Sequence, residues 1–143
     1  MLSALAGCAA SPGQQEPSPP SASAAQAYQC LLPTEQRTLV AELFFGRKIK
    51  GGGFVTDAEW AKFAAEIVTR NFPDGFTAFD AEGQWRNPQT GQTAHDPTKV
   101  LLVAAKRSAD LAGRLQTVID AYKARFNQQS VGIVTRDSCA DFD

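Results

Sequence analysis

The hydrophobic period changes along residues 38 to 136 in an order that few folds accommodate. Thr38 to Phe45 (Thr-Leu-Val-Ala-Glu-Leu-Phe-Phe) is a β-branched and aromatic run, the composition of a strand. Gly51-Gly52-Gly53 breaks it, and Thr56-Asp57-Ala58-Glu59 has the form of a capping box, with Thr56 as N-cap and Glu59 reaching back. Trp60, Phe63, Ala64, Ile67 and Val68 follow at helical spacing, which predicts a helix over roughly 57 to 71. After the turn Pro73-Asp74-Gly75, Phe76 to Asp80 and Gly83 to Arg86 read as a second strand, with a bulge expected at Gly83. Asn87 to Gly91 is turn chemistry, and Lys99 to Ala105 is a third strand pairing back as a long hairpin. Ser108 is the expected cap of a second helix, in which Leu111, Leu115, Val118, Ile119, Tyr122 and Phe126 share one face. Val131 to Arg136 is the last strand. The order β-α-β-β-α-β predicts an α+β fold of ferredoxin-like type: a four-stranded antiparallel sheet with two helices on one face.

That topology bears on the cysteines. Its first and last strands are antiparallel neighbours, so the start of one lies beside the end of the other. Cys30 precedes the first strand and Cys139 follows the last, which predicts a Cys30–Cys139 disulfide; two independent free thiols are the alternative. No metal is expected, because no Cys-x-x-Cys occurs and His95 is the only histidine.

Cys8 has a different setting. Leu5-Ala6-Gly7-Cys8 has the form of a lipobox, in which small residues precede the cysteine that becomes the acylated N-terminus. Only seven residues precede it, without Lys or Arg, so residues 1–8 read as a truncated lipoprotein signal whose start lies upstream. The competing reading is an Ala-rich terminus. Residues 9–29 hold four of the eight prolines, one charge and no branched aliphatic residue, the composition of a disordered tether. A single domain over residues 30–143 follows. This organisation implies export to the bacterial envelope, on the periplasmic side, with membrane contact through the lipid anchor alone. No stretch approaches the roughly 18 apolar residues of a transmembrane helix. All fourteen Lys and Arg lie at or after Arg37, beside nearly all of the fifteen acids, so the folded part lacks the basic excess of a nucleic-acid binder.

Candidate sites are few. Two helices cover one face of a four-stranded sheet, yet the first and third strands are apolar on both. Leu39, Ala41, Leu43 and Phe45 alternate with Val40, Glu42 and Phe44, and Val100 and Leu102 oppose Leu101 and Val103. A second subunit, the segment near Leu31-Leu32 or a ligand is expected over the other face, a homodimer being favoured. Glu42 on that face is a candidate general base if desolvated, or else an ion-pair partner. Asp80 to Arg86 gathers an acid, an amide, an indole and a guanidinium. Alternation sets Gln84 and Arg86 on one face and Trp85 on the other, where the competing reading is a Trp in the core with Arg86 paired to Asp80 or Asp74. Arg47-Lys48-Ile49-Lys50-Gly51-Gly52-Gly53 lacks the Walker pattern and reads as a solvated crossover, with Asp57 and Glu59 occupying the helix start. His95 sits in a loop context with no nucleophile matched to it, and no complete catalytic constellation or cofactor motif is present.

Several segments resemble domain-of-unknown-function family 3574 of bacterial exported proteins. They are Glu42 to Arg47, Val55 to Trp60, Phe72 to Thr77, Gly83 to Arg86 and Tyr122 to Val131, spanning most of residues 38 to 136. Asn127 and Gln129 stand where the resemblance leads one to expect Gly and Glu. It implies a secreted or lipid-anchored domain and supplies no activity, ligand or catalytic residue. The expectation is therefore a non-catalytic envelope lipoprotein domain that self-associates or binds a partner through the helix-free sheet face. The alternative is a small-molecule-binding protein or enzyme of dimeric α+β-barrel type, with a pocket near Glu42, Gln84 and Arg86.

Overall fold

Four strands hydrogen-bond into one antiparallel sheet: β1 Gln36–Gly46, β2 Thr77–Arg86, β3 Thr93–Ala105 and β4 Gly132–Ala140, in the order β2-β3-β1-β4. The computed structural model describes residues 29–86 and 90–142, so Cys8 and all but the last residue of the tether over 9–29 lie outside it. α1 begins as Asp57–Phe63, passes through a π-helical turn at Ala64–Val68 and ends with Thr69–Asn71; α2 is Leu111–Phe126. The fold is α+β, with the strand order of the ferredoxin-like pattern. Thr56 caps α1 as expected: its hydroxyl accepts from the Glu59 N–H at 3.2 Å, and the Glu59 carboxylate accepts from the Thr56 N–H at 2.8 Å.

Three local expectations are corrected. β2 runs through Gly83 without a bulge, Gly83 pairing Asp96 in unbroken register. The glycine answers a close approach instead, since a Cβ there would lie 2.9 Å from the Thr98 hydroxyl and 3.2 Å from the Asp96 carbonyl. β3 starts six residues before Lys99, at Thr93, and takes in His95 and Pro97; β2 is long enough to pair all of it, with Gln84 opposite His95 and Glu82 opposite Pro97. Ser108 does not cap α2; the N-cap is Asp110, whose side chain makes no cap bond to the helix.

Pairing in register sorts the side chains. Leu39, Ala41, Leu43 and Phe45 of β1 lie level with Ala105, Val103, Leu101 and Lys99 of β3, facing the helices. Phe45 is fully buried, with its ring centroid 5.2 Å from Trp60 and 4.7 Å from Tyr122. Tyr122 stacks edge-on to Phe63 at 5.2 Å and donates its hydroxyl to the Gly46 carbonyl at 3.0 Å. Burial pushes that phenol well above its ordinary pKa, so the hydroxyl stays a donor throughout the physiological range. α2 ends at Asn127, which takes a left-handed φ of 50° and closes the helix through its N–H to the Lys123 carbonyl. Glycine and asparagine are the residues that accept this conformation readily.

Cys30 and Cys139 are joined as expected, with Cα atoms 5.6 Å apart. Cys139 lies within β4 and opposite Arg37, because β4 extends four residues past Arg136 to Ala140. Leu31 and Leu32, 90% and 53% exposed, do not cover the open face of the sheet. The bridge joins residues 109 apart in sequence. For a loop of that size the chain-entropy relation gives about 4–5 kcal/mol of stabilisation. Urea unfolding of oxidised and Cys30→Ser/Cys139→Ser chains is expected to differ by most of this, with β1–β4 amides exchanging first in the variant.

Candidate functional site

The helices leave one face of the sheet open, and the register says which residues lie on it. Thr38, Val40, Glu42 and Phe44 of β1 are flanked by Ala104, Leu102 and Val100 of β3 and by Ser138, Arg136, Val134 and Gly132 of β4. Thr77, Phe79, Ala81, Gly83 and Trp85 of β2 complete it. Phe44, Phe79, Trp85 and Val134 are 36%, 48%, 50% and 50% exposed, while Val40 and Val100 are buried between neighbours. Phe44 lies against Gly132, where a Cβ would stand 3.4 Å from that of Phe44. Phe79, Val100 and Phe44 lie side by side with Val134 diagonally beyond, an apolar stripe across all four strands, while Trp85 stands six residues along β2 from Phe79 with Ala81 and Gly83 between.

Glu42 lies inside this stripe and is not a free base. Its carboxylate pairs with the Arg136 guanidinium at 2.8 Å, the Glu42 side chain being 26% exposed. The pair is cross-strand: Arg136 stands opposite Val40, one step diagonally from Glu42. Gln84 and Arg86 lie on the other face of the sheet, as their even position in β2 requires, so they do not converge with Glu42. Arg86 donates through Nε to the Gly91 carbonyl at 3.2 Å, across the mouth of the hairpin, and not to Asp80 or Asp74. Trp85 is no core plug: the core tryptophan is Trp60, and Trp85 is half exposed on the open face. His95 is exposed in β3.

A second polar group went unread in the sequence. Arg47 and Lys99, only 16% and 11% exposed at their side chains, share the carboxylates of Asp57 and Asp80 at the helix-facing side of the sheet. Lys99 Nζ lies 2.7 Å from Asp80 and 3.1 Å from Asp57; Arg47 lies 3.0 Å from Asp57 and 3.3 Å from Asp80, and its Nε donates to the Val55 carbonyl at 2.7 Å. The solvated crossover expected at 47–53 is therefore anchored at its first residue. Hydrogen bonding to Asp80 raises the Lys99 ammonium pKa against the opposing effect of burial. Hydrogen bonding to Lys99, with the charge of Arg47, holds Asp57 below its ordinary value. Two cations meet two carboxylates, so the group is self-neutralising, and a lysine kept protonated in this way is no nucleophile at neutral pH. Part of the signal was present in the sequence: Lys99 heads the apolar run Val100 to Ala105, but that Asp80 stands opposite it appears only once the hairpin register is known.

Among known proteins, the profile of the family described as "Protein of unknown function (DUF3574)" matches residues 40–142. No curated protein matches the chain. Among solved structures, the fold is similar to a phage SAM lyase in complex with S-methyl-5'-thioadenosine, at a TM-score of 0.57 and 14% identity over 72% of this chain and 88% of the lyase. The apo state of a phage SAM lyase gives a TM-score of 0.59 and 16% identity, over 80% of this chain and 92% of that one. At such identity the likeness is one of fold.

Asp57 gives the acidic limb of stability a predictable origin. Its pKa is lowered on folding, so its contribution is present above the ordinary carboxylate value, near pH 4, and is lost as pH falls through the lower folded value. Thermal melts between about pH 5 and pH 2 are expected to show this loss, and Asp57→Asn to flatten it while lowering stability at neutral pH.

Proposed function

The chain belongs to the DUF3574 family, whose description assigns no activity, and we propose that it is a non-catalytic domain that pairs with a second copy through the helix-free sheet face. The single observation that carries this reading is the exposed apolar stripe of Phe79, Phe44 and Val134. Monomeric proteins rarely leave large contiguous apolar surface open to water, and sheets associate by stacking such faces. A second copy is favoured over an unlike partner because the face carries its own charge balance. Glu42 and Arg136 neutralise one another within it, so a two-fold axis through the stripe brings together like surfaces without repulsion and lets the two residues exchange partners. Phe44→Asp is expected to shift the full chain from a concentration-dependent dimer to monomer in sedimentation equilibrium, with its thermal unfolding retained. A chain that is monomeric in both forms at high concentration would overturn the reading.

The same proposal includes an address. We infer that the chain works in the bacterial envelope, held by a lipid on Cys8 and reaching out on the tether over residues 9–29. The Cys30–Cys139 bridge supports an oxidising compartment, since disulfides persist there and are rare in a reducing cytosol. Intact-mass analysis of protein expressed in a bacterial host from an upstream start is expected to find Cys8 as the acylated N-terminal residue. An unmodified Cys8 would remove the anchor.

A second reading, a small-molecule-binding protein or enzyme, draws weight from the fold shared with the SAM lyases. The Glu42–Arg136 pair counts against the acid–base chemistry it would place at Glu42.

A further inference from the structure

The disulfide brings its two sulfurs to a third group of metal-ligating chemistry. Glu35 directly precedes β1, and one of its carboxylate oxygens, Cys30 Sγ and Cys139 Sγ all lie within 4.8 Å of one another. All three residues are half-buried. The carboxylate is held there by its own turn. The Leu32 N–H donates to Glu35 Oε2 at 2.9 Å, and the Glu35 N–H donates to the Leu32 carbonyl at 3.2 Å. A carboxylate offers about four lone-pair sites, so one bond from Leu32 leaves others for a second partner. Cys139 is placed by the β1–β4 ladder, where it stands opposite Arg37. Neither the turn bonds nor the ladder bonds pass through the bridge.

The chemistry of this group depends on its redox state. Disulfide sulfur is uncharged and a poor ligand, whereas the thiolate is the form that binds metals. Two thiolates and a carboxylate are three of the four donors of a tetrahedral zinc site. Ligand atoms about 2.0–2.3 Å from such an ion stand about 3.3–3.8 Å from one another. Atoms already within 4.8 Å reach that arrangement by side-chain rotation, without moving the strands.

We propose that the reduced chain binds one Zn²⁺ through Cys30, Cys139 and Glu35, with water as the fourth ligand. A dithiol reductant opens the bridge by exchange: it gives up two electrons and two protons, leaves as its own disulfide, and the chain gains two thiols. Zn²⁺ then displaces both thiol protons to solvent. The ion ties the same two segments that the disulfide ties, so the sheet end stays closed in either redox state. Spacing along the chain did not reveal the site, because its cysteines are 109 residues apart and the fold assembles them. The site requires neither a second copy on the sheet face nor a lipid on Cys8.

The test is a zinc titration of the full chain carrying Cys8→Ser, which leaves Cys30 and Cys139 as its only thiols. Reduced, desalted chain is titrated without oxygen against a chromophoric zinc chelator, and with Co²⁺ as a spectroscopic probe. One zinc per reduced chain is expected, with thiolate-to-cobalt charge transfer and a tetrahedral cobalt spectrum. The oxidised chain is expected to bind at least about a hundredfold more weakly. Glu35→Gln keeps an acceptor for the Leu32 N–H but loses the anionic ligand, and is expected to weaken zinc by about tenfold or more. In the zinc-loaded reduced chain the amide signals of β1 and β4 are expected close to their positions in the oxidised chain. Three results would each overturn the proposal: no stoichiometric zinc on the reduced chain, equal zinc affinity in Glu35→Gln, or zinc held without folded β1 and β4 signals.

Discussion

Phe45 and Tyr122 hold the sheet and the second helix together, and much of the architecture is legible as a consequence of that contact. Phe45 is the last large residue of β1 on the helix side, and its ring meets Trp60 from α1 and Tyr122 from α2 at 5.2 Å and 4.7 Å. Tyr122 then donates to the carbonyl of the next residue, Gly46, at 3.0 Å. A buried phenol without an acceptor would cost about 1–3 kcal/mol, so the hydroxyl fixes where α2 can sit along β1. Gly46 is itself confined, because a Cβ there would lie 2.6 Å from the Asp96 carboxylate of β3. One residue after the aromatic contact, Arg47 donates to Val55 and reaches Asp57 and Asp80, so the chain leaves the sheet already tied to the start of α1 and to β2.

The opposite end of the sheet is held by different means. There the disulfide joins the segment before β1 to the far part of β4, where the side chains of β4 are half exposed and offer little burial. Gly132 to Asp137 are exposed along the strand, so backbone hydrogen bonds and the covalent bridge, more than packing, keep β4 in place. An edge strand of this kind is a hazard unless covered or bonded. The apolar residues it contributes to the open face, Val134 above all, become intelligible if that face is an interface.

The order of elements, the faces of the helices and the partner of Cys30 were readable from sequence because each depends on periodicity or topology. Apolar spacing of 3.6 identified Trp60, Phe63 and Val68 as one stripe, and antiparallel neighbouring strands brought Cys30 to Cys139. Strand ends were less readable. Pro97 and His95 look like loop residues in isolation, yet β2 is long enough to pair with them, and ladder bonding overrode local preference. Gly83 was legible as an exception and misread as to cause, since its crowding by Thr98 exists only once the hairpin is in register. The Arg47–Asp57–Lys99–Asp80 group was missed for the same reason: its members come from four separate segments, and no spacing along the chain links them. Trp85 was assigned the right alternation relative to Gln84 and Arg86, but alternation alone does not say which face the helices take.

Function reads differently on the two faces of the sheet. On the helix side the charges gathered around the start of α1 are matched: Lys99 and Arg47 by two carboxylates, and Glu59 by its own cap. Matched charges of that kind tie the chain leaving β1 to the start of α1 and to β2. On the open side the one candidate base, Glu42, is also matched, and what remains unmatched is apolar surface. Unsatisfied apolar area drives association, whereas chemistry needs unsatisfied polar groups aimed at a common point. The uncovered layer of the sheet and the charge group beneath the helices are therefore separable consequences of one fold, the first arising from strands apolar on both faces and the second from the register that brings Asp80 to Lys99.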